Sequence, residues 1–272
     1  MSVFANGQVA IGYDDHGTGE PPVVLVHGTP FDRSMWRPQI DHLRRYGRRV
    51  IALDLRGYGE STVVPGITRL DAFARDIAAL LDHLAVDGCV LGGLSMGGQI
   101  VMEFCRLFPG RVRGLLLADT THRADTDEGR RARDAMAERL LREGMKPYAH
   151  EVLPKMISPA TVERLPAVAD HVLTMMCATA PEGAAAALRG RGLRPDYTET
   201  LARIRVPTLI VVGADDEYTP VADARLMHDL IPGSTLTIIE NAAHMPNLER
   251  PAEFNQALDG LLRAVSPRPG ND

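Results

Sequence analysis

The chain has 272 residues, 45% hydrophobic and 24% charged, with a formal net charge of −5. So much apolar content with so little net charge excludes a disordered chain, and no overall positive field is available to hold nucleic acid or an anionic membrane. The longest apolar runs, such as VVLV at 23–26 and LLLA at 115–118, fall far short of the roughly 20 residues of a membrane span. The first residues, MSVFANGQ, lack the basic stretch and apolar core of a secretory signal, so a soluble cytoplasmic protein is expected.

In chain order, near-continuous apolar runs predict strands at 9–13, 23–26 and 50–53, the pattern of strands buried on both faces of a parallel sheet. Leu70, Phe73, Ala74, Ile77, Leu80, Leu81 and Leu84 then recur three and four apart, which predicts an amphipathic helix. A strand follows at 89–91, and Ile100, Val101, Phe104 and Leu107 repeat the helical spacing after Ser95. Another strand is expected at 112–118. Alternating strands and helices of this kind imply crossover connections and a doubly wound, mostly parallel α/β layer.

The rhythm breaks between 121 and 200. That stretch holds no convincing strand and reads as short helices punctuated by Pro147, Pro154, Pro159, Pro166 and Pro181, with Met136, Met145, Met156, Met175 and Met176 among them. Strands return at 208–212 and 235–239, and a last helix opens after Pro251. The expected organisation is a core of 1–120 and 201–272, interrupted by a helical insertion over 121–200. The tail SPRPGND, 266–272, reads as frayed. Cys89, Cys105 and Cys177 are odd in number and widely spaced without a C-x-x-C. They read as buried thiols rather than a zinc site or disulfide framework.

The strongest chemical signal is Gly93-Leu94-Ser95-Met96-Gly97 between a predicted strand and a predicted helix. Glycines on either side of the serine permit a sharp strand-to-helix turn that lifts the hydroxyl above the sheet edge. A serine hydroxyl is a weak nucleophile until a base takes its proton, and that base needs an orienting carboxylate. In this architecture the chain order is Ser, then Asp or Glu, then His. Asp216 and His244 follow the last two predicted strands, where an open α/β sheet places its ligands.

An oxyanion site needs two backbone N–H groups aimed where negative charge develops. Met96, after the serine, and Thr29, just past His27-Gly28, are the candidates. His27 precedes a turn and suits bonding to loop backbone better than acting as a base. His228 falls within a predicted helix and reads as a surface residue. Asp54 and Arg56 read as an internal ion pair. The run Arg123, Arg130, Arg131 and Arg133 is broken up by acidic residues and reads as a solvated helix face, although arginine forks match a substrate carboxylate well. The methionines of the insertion suit either an apolar pocket or ordinary helix packing.

The segments HGTPFDRSMW (27–36), DLRGYGES (54–61), GGLSMGG (92–98), GADDEYTP (213–220) and NAAHMPNLERP (241–251) resemble the α/β-hydrolase superfamily. The resemblance covers about 190 residues of the core and leaves the insertion unmatched. It implies a Ser95 nucleophile, a His244 base, an Asp216 acid and oxyanion donors at Thr29 and Met96. The family's G-x-x-D-x-x-x-P pattern selects Asp216 over Asp215, while Asp119 occupies the place where some members carry the acid instead. The chain is most similar to small carboxylesterases and 3-oxoadipate enol-lactonase-type hydrolases. The resemblance therefore implies an ester or lactone substrate, no metal or organic cofactor, and an insertion that serves as a cap. A specialised lactonase, a perhydrolase or a ligand-binding receptor on the same scaffold are the alternatives it leaves open.

Overall fold

The computed structural model describes residues 2–265, so the tail at 266–272 lies outside the described residues. The chain runs β1 (Ser2–Asn6), β2 (Val9–His16), β3 (Val23–Val26), α1 (Arg37–Arg45), β4 (Val50–Leu53), α2 (Leu70–His83), β5 (Cys89–Leu94), α3 (Met96–Leu107) and β6 (Val112–Ala118). Six helices follow: α4 (Asp127–Glu143), α5 (Met145–Met156), α6 (Pro159–Arg164), α7 (Pro166–Ala178), α8 (Pro181–Gly192) and α9 (Thr198–Ala202). It closes with β7 (Thr208–Gly213), α10 (Val221–Leu230), β8 (Thr235–Ile239), α11 (Pro246–Glu249) and α12 (Pro251–Ala264).

The eight strands form one sheet in the order β1-β2-β4-β3-β5-β6-β7-β8. β2 runs antiparallel to both β1 and β4, and every other pairing is parallel. Strand alternation explains the unbroken apolar runs. Val24 and Val26 pack with α2 and α3 on one face, while Val23 and Leu25 pack with α1 and α12 on the other. A strand covered on both faces gains from an apolar residue at every position.

The structure adds β1, which the sequence hides. Its residues are mostly exposed, and it pairs with β2 as a hairpin at the sheet edge, where no hydrophobic alternation is required. Cys89 and Cys105 are buried free thiols and Cys177 is half-buried. Burial pushes the first two thiols up to about 12, so they are inert as nucleophiles. No helix among the described residues is long and apolar enough to cross a membrane.

The helices between β6 and β7 are wedged onto the core through α8. Gly183, Ala184, Ala185, Ala186, Ala187 and Gly190 are buried, and the N–H of Thr68 donates to the Ala186 carbonyl at 3.0 Å. A β-carbon on Gly190 would lie 1.7 Å from the Thr68 carbonyl oxygen, and one on Gly183 would lie 2.0 Å from that of Gly57. Alanine in a helix interior is normally worth close to 1 kcal/mol over glycine. Here the sign should reverse. Gly190→Ala is expected to destabilise the protein by about 1–3 kcal/mol, as overpacking does, read from the urea unfolding midpoint. An unchanged or raised midpoint would show that α8 can lift away freely.

Candidate active site

Ser95 joins β5 to α3 with φ +57° and ψ −118°, a left-handed conformation that a non-glycine residue holds only when its surroundings enforce it. Those surroundings are tight. A β-carbon on Gly97 would lie 2.3 Å from the Val26 carbonyl oxygen, and one on Gly93 would lie 2.3 Å from the Gly97 carbonyl carbon. The glycines thus allow α3 to start directly against β3 and β5. The Ser95 N–H donates to Ala118 at 3.0 Å, and the Thr120 hydroxyl donates to the Ser95 carbonyl at 2.7 Å. Met96 is the first residue of α3, so its N–H is among those without an intrahelical acceptor.

Two later loops bring up the other groups. Asp216 follows β7 and His244 follows β8, neighbouring strands in parallel register. His244 Nδ1 lies 2.8 Å from Asp216 Oδ2. The carboxylate is a pure acceptor, so Nδ1 carries a proton, and in the neutral imidazole Nε2 keeps the lone pair. Asp216 also accepts from the Thr219 hydroxyl at 2.6 Å and from the Tyr218 and Thr219 N–H groups at 2.8 and 3.2 Å. Burial opposes its charge, but His244 and the Thr219 donors outweigh that and hold the carboxyl below its ordinary value.

Asp119, at the end of β6, takes a different state. Its Oδ1 accepts from the Gly213 N–H at 2.9 Å, while its buried Oδ2 has no hydrogen-bond partner. Burial, and then the neighbouring Asp216 charge, push it well above the usual carboxylate range. Ligand atoms of Asp119, Asp216 and His244 lie within 4.8 Å of one another, close enough to hold a cation. The Nδ1 proton already bridges Asp216 and His244, an arrangement that a metal ion would have to displace.

The loop after β3 packs on the serine turn, since a β-carbon on Gly28 would lie 3.1 Å from Ser95 Cβ. His27 is fully buried behind it. Its Nε2 accepts the Leu55 N–H at 2.9 Å, which leaves Nδ1 to donate to the Gly28 carbonyl at 2.8 Å. It therefore braces two loops, as its position before the turn suggested. The Thr29 hydroxyl lies 2.8 Å from the Tyr58 hydroxyl.

Asp54 and Arg56 do not pair. After β4 the chain turns, with Gly57 at φ +87°, and the two side chains diverge. Asp54 accepts from the Arg33 and Glu60 N–H groups and from the Arg33 guanidinium, while Arg56 forks onto Asp76 at 2.6 Å through both nitrogens. His228 is half-buried, its Nδ1 2.8 Å from the Ser234 hydroxyl, rather than a solvated surface residue.

Ser95, His244, Thr29 and Thr219 open into one cavity of about 480 Å³ beneath α4, α5 and α8. Met136 and Met156 line it, whereas Met145, Met175 and Met176 pack in the helix cores. Arg123, Arg130 and Arg131 are exposed as a solvated face, but Arg133 turns inward and lines the cavity with Arg191 and Arg194. Sequence reasoning missed the last two. They sit in GRGLR at the end of a helix without regular amphipathic spacing, and no motif marks them.

Fold and site together define a class. The alpha/beta hydrolase fold family matches residues 21–251, and the chain belongs to that family. It is 30% identical over 260 residues to 3-oxoadipate enol-lactonase 2 of Acinetobacter baylyi, covering 94% of each chain. A thermophilic esterase from Thermogutta terrifontis, solved with malate bound, is 40% identical with a TM-score of 0.92 over 95% of each chain. The enol-lactonase of Burkholderia xenovorans is 27% identical with a TM-score of 0.89, over 96% of this chain and all of that one.

Proposed function

We propose that the protein is a serine hydrolase that cleaves a small carboxylic ester or lactone through an acyl-enzyme. The observation that carries this reading is the convergence of Ser95, on its strained turn, and His244, backed by Asp216, on one cavity. His244 Nε2 takes the Ser95 proton as Oγ attacks the acyl carbon. The tetrahedral oxyanion is held by the Thr29 and Met96 N–H groups. His244 then returns the proton to the leaving alkoxide, the C–O bond breaks, and Ser95 is left acylated. Water, deprotonated by His244, attacks the acyl-serine carbonyl, and His244 returns that proton to Ser95 Oγ as the C–O bond to the serine breaks and the acid is released. Asp216 keeps the imidazole in the required tautomer and stabilises its cation. The helices over 121–200 act as the cap that keeps bulk water from the acyl carbon. The esterase and enol-lactonase relatives support the same chemistry.

A fluorophosphonate probe tests the reading. It should label one site, in the peptide containing Ser95, and the protein should turn over simple esters. Saturable ligand binding without labelling or turnover would instead make the cavity a receptor. The cavity's mixed lining sets a second expectation. Nitrophenyl ester hydrolysis should peak at acyl chains of about C2 to C6, because Arg133, Arg191 and Arg194 interrupt the apolar lining that a longer chain would need. A maximum at C12 or beyond would mean that the helices over 121–200 do not close the site.

A further inference from the structure

The cavity is unevenly charged. Three guanidinium groups, Arg133, Arg191 and Arg194, share it with a single carboxylate, Asp125. Asp125 is already consumed. One oxygen accepts from Arg133 Nε, and the other accepts from Arg194 at 2.9 Å and Arg133 at 3.2 Å. Arg194 is nearly buried and also donates to the Arg123 and Arg191 carbonyls at 2.9 and 3.0 Å, so it is spent on holding the end of α8.

Arg191 is different. Its Nε donates to Gln99 Oε1 at 2.7 Å, and among the described residues its two terminal nitrogens have no hydrogen-bond partner and no carboxylate is in ion-pair contact with it, Asp125 acting on it only through space. Burial, and then Arg133 and Arg194, push its pKa well down, the condition of a cation that lacks its counter-charge. The side chain is also placed firmly. Gly190, one residue before it, is pressed against Thr68, and Gln99 sits one helical turn beyond Ser95, its N–H donating to the Ser95 carbonyl at 3.2 Å. An unpaired guanidinium fork held at the end of α8, lining the same partly open cavity as Ser95, is a planar site for a planar anion.

We propose that Arg191 binds a free carboxylate on the substrate, so that the enzyme acts on small esters or lactones carrying an ionised carboxylate a few bonds from the scissile acyl group. The substrate carboxylate supplies the negative charge that the cavity lacks. This inference rests on the hydrolase reading above, and its test separates the two.

The test compares kcat/KM for the mono-nitrophenyl ester of succinic acid with that for nitrophenyl butyrate, a neutral ester of similar size. The wild-type protein should favour the anionic ester about tenfold or more, the order of a charge-assisted contact. Arg191→Gln, which removes the charge but keeps a donor for Gln99, should bring the ratio close to one. Arg131→Gln, exposed on α4 and outside the cavity lining, should leave it unchanged. A second measurement needs no hydrolysis. Monomethyl succinate should bind Ser95→Ala by calorimetry and fail to bind Ser95→Ala/Arg191→Gln. If no ester is turned over yet this binding holds, the hydrolase reading falls and the carboxylate site stands. A wild-type ratio near one, a ratio untouched by Arg191→Gln, or inorganic phosphate binding as tightly as monomethyl succinate would overturn the proposal.

Discussion

Ser95→Ala is expected to abolish fluorophosphonate labelling and to lower ester turnover by at least about 10³-fold, the order lost when a nucleophile of this kind is removed. The size of the effect follows from the site's division of labour. His244 Nε2 has one partner to activate, and without the serine oxygen no covalent intermediate can form. The residual rate would come from binding and oxyanion stabilisation alone. The substitution removes a single oxygen at a buried position, so the thermal midpoint should move little. A near-normal rate in this variant, with the fold intact, would eliminate the acyl-enzyme mechanism.

Asp216→Asn should cost on the order of 10³- to 10⁴-fold in kcat with little change in KM, because the amide no longer demands a proton on Nδ1 and the imidazole loses its basic Nε2. Asp119→Asn should cost far less, within about tenfold. The two carboxyls are neighbours, yet their environments differ. Asp216 has His244 and three further donors to support its charge, whereas Asp119 has one backbone donor and an unpartnered oxygen. Stopped-flow or steady-state kinetics on one ester, with both variants checked for folding, decides between them. The reverse ranking would transfer the orienting role to the end of β6.

The sequence by itself determined seven of the eight strands and placed Ser95, Asp216 and His244 just past the ends of three of them. The buried strands announce themselves because both of their faces are apolar, and the Gly93–Gly97 turn is legible because only glycine lets α3 pass so close to the Val26 carbonyl. Asp216 and His244 are readable for a topological reason: residues just past the C-terminal ends of parallel strands emerge on the same edge of the sheet. His27 was legible from its place before a turn. What stayed hidden depends on direction rather than order. The edge strand β1 has no buried face to pattern it, and the Asp54–Arg56 pair fails because a turn points neighbouring side chains apart. Along α4, Arg130 and Arg133 sit three residues apart, about a sixth of a turn from superposition, yet the first is exposed and the second lines the cavity. The missing counter-charge at Arg191 is an imbalance among residues from 125 to 194, brought together only when α8 seats on the core. Charge spacing along a chain carries no record of which groups will be buried together, so the tertiary structure alone could assign it.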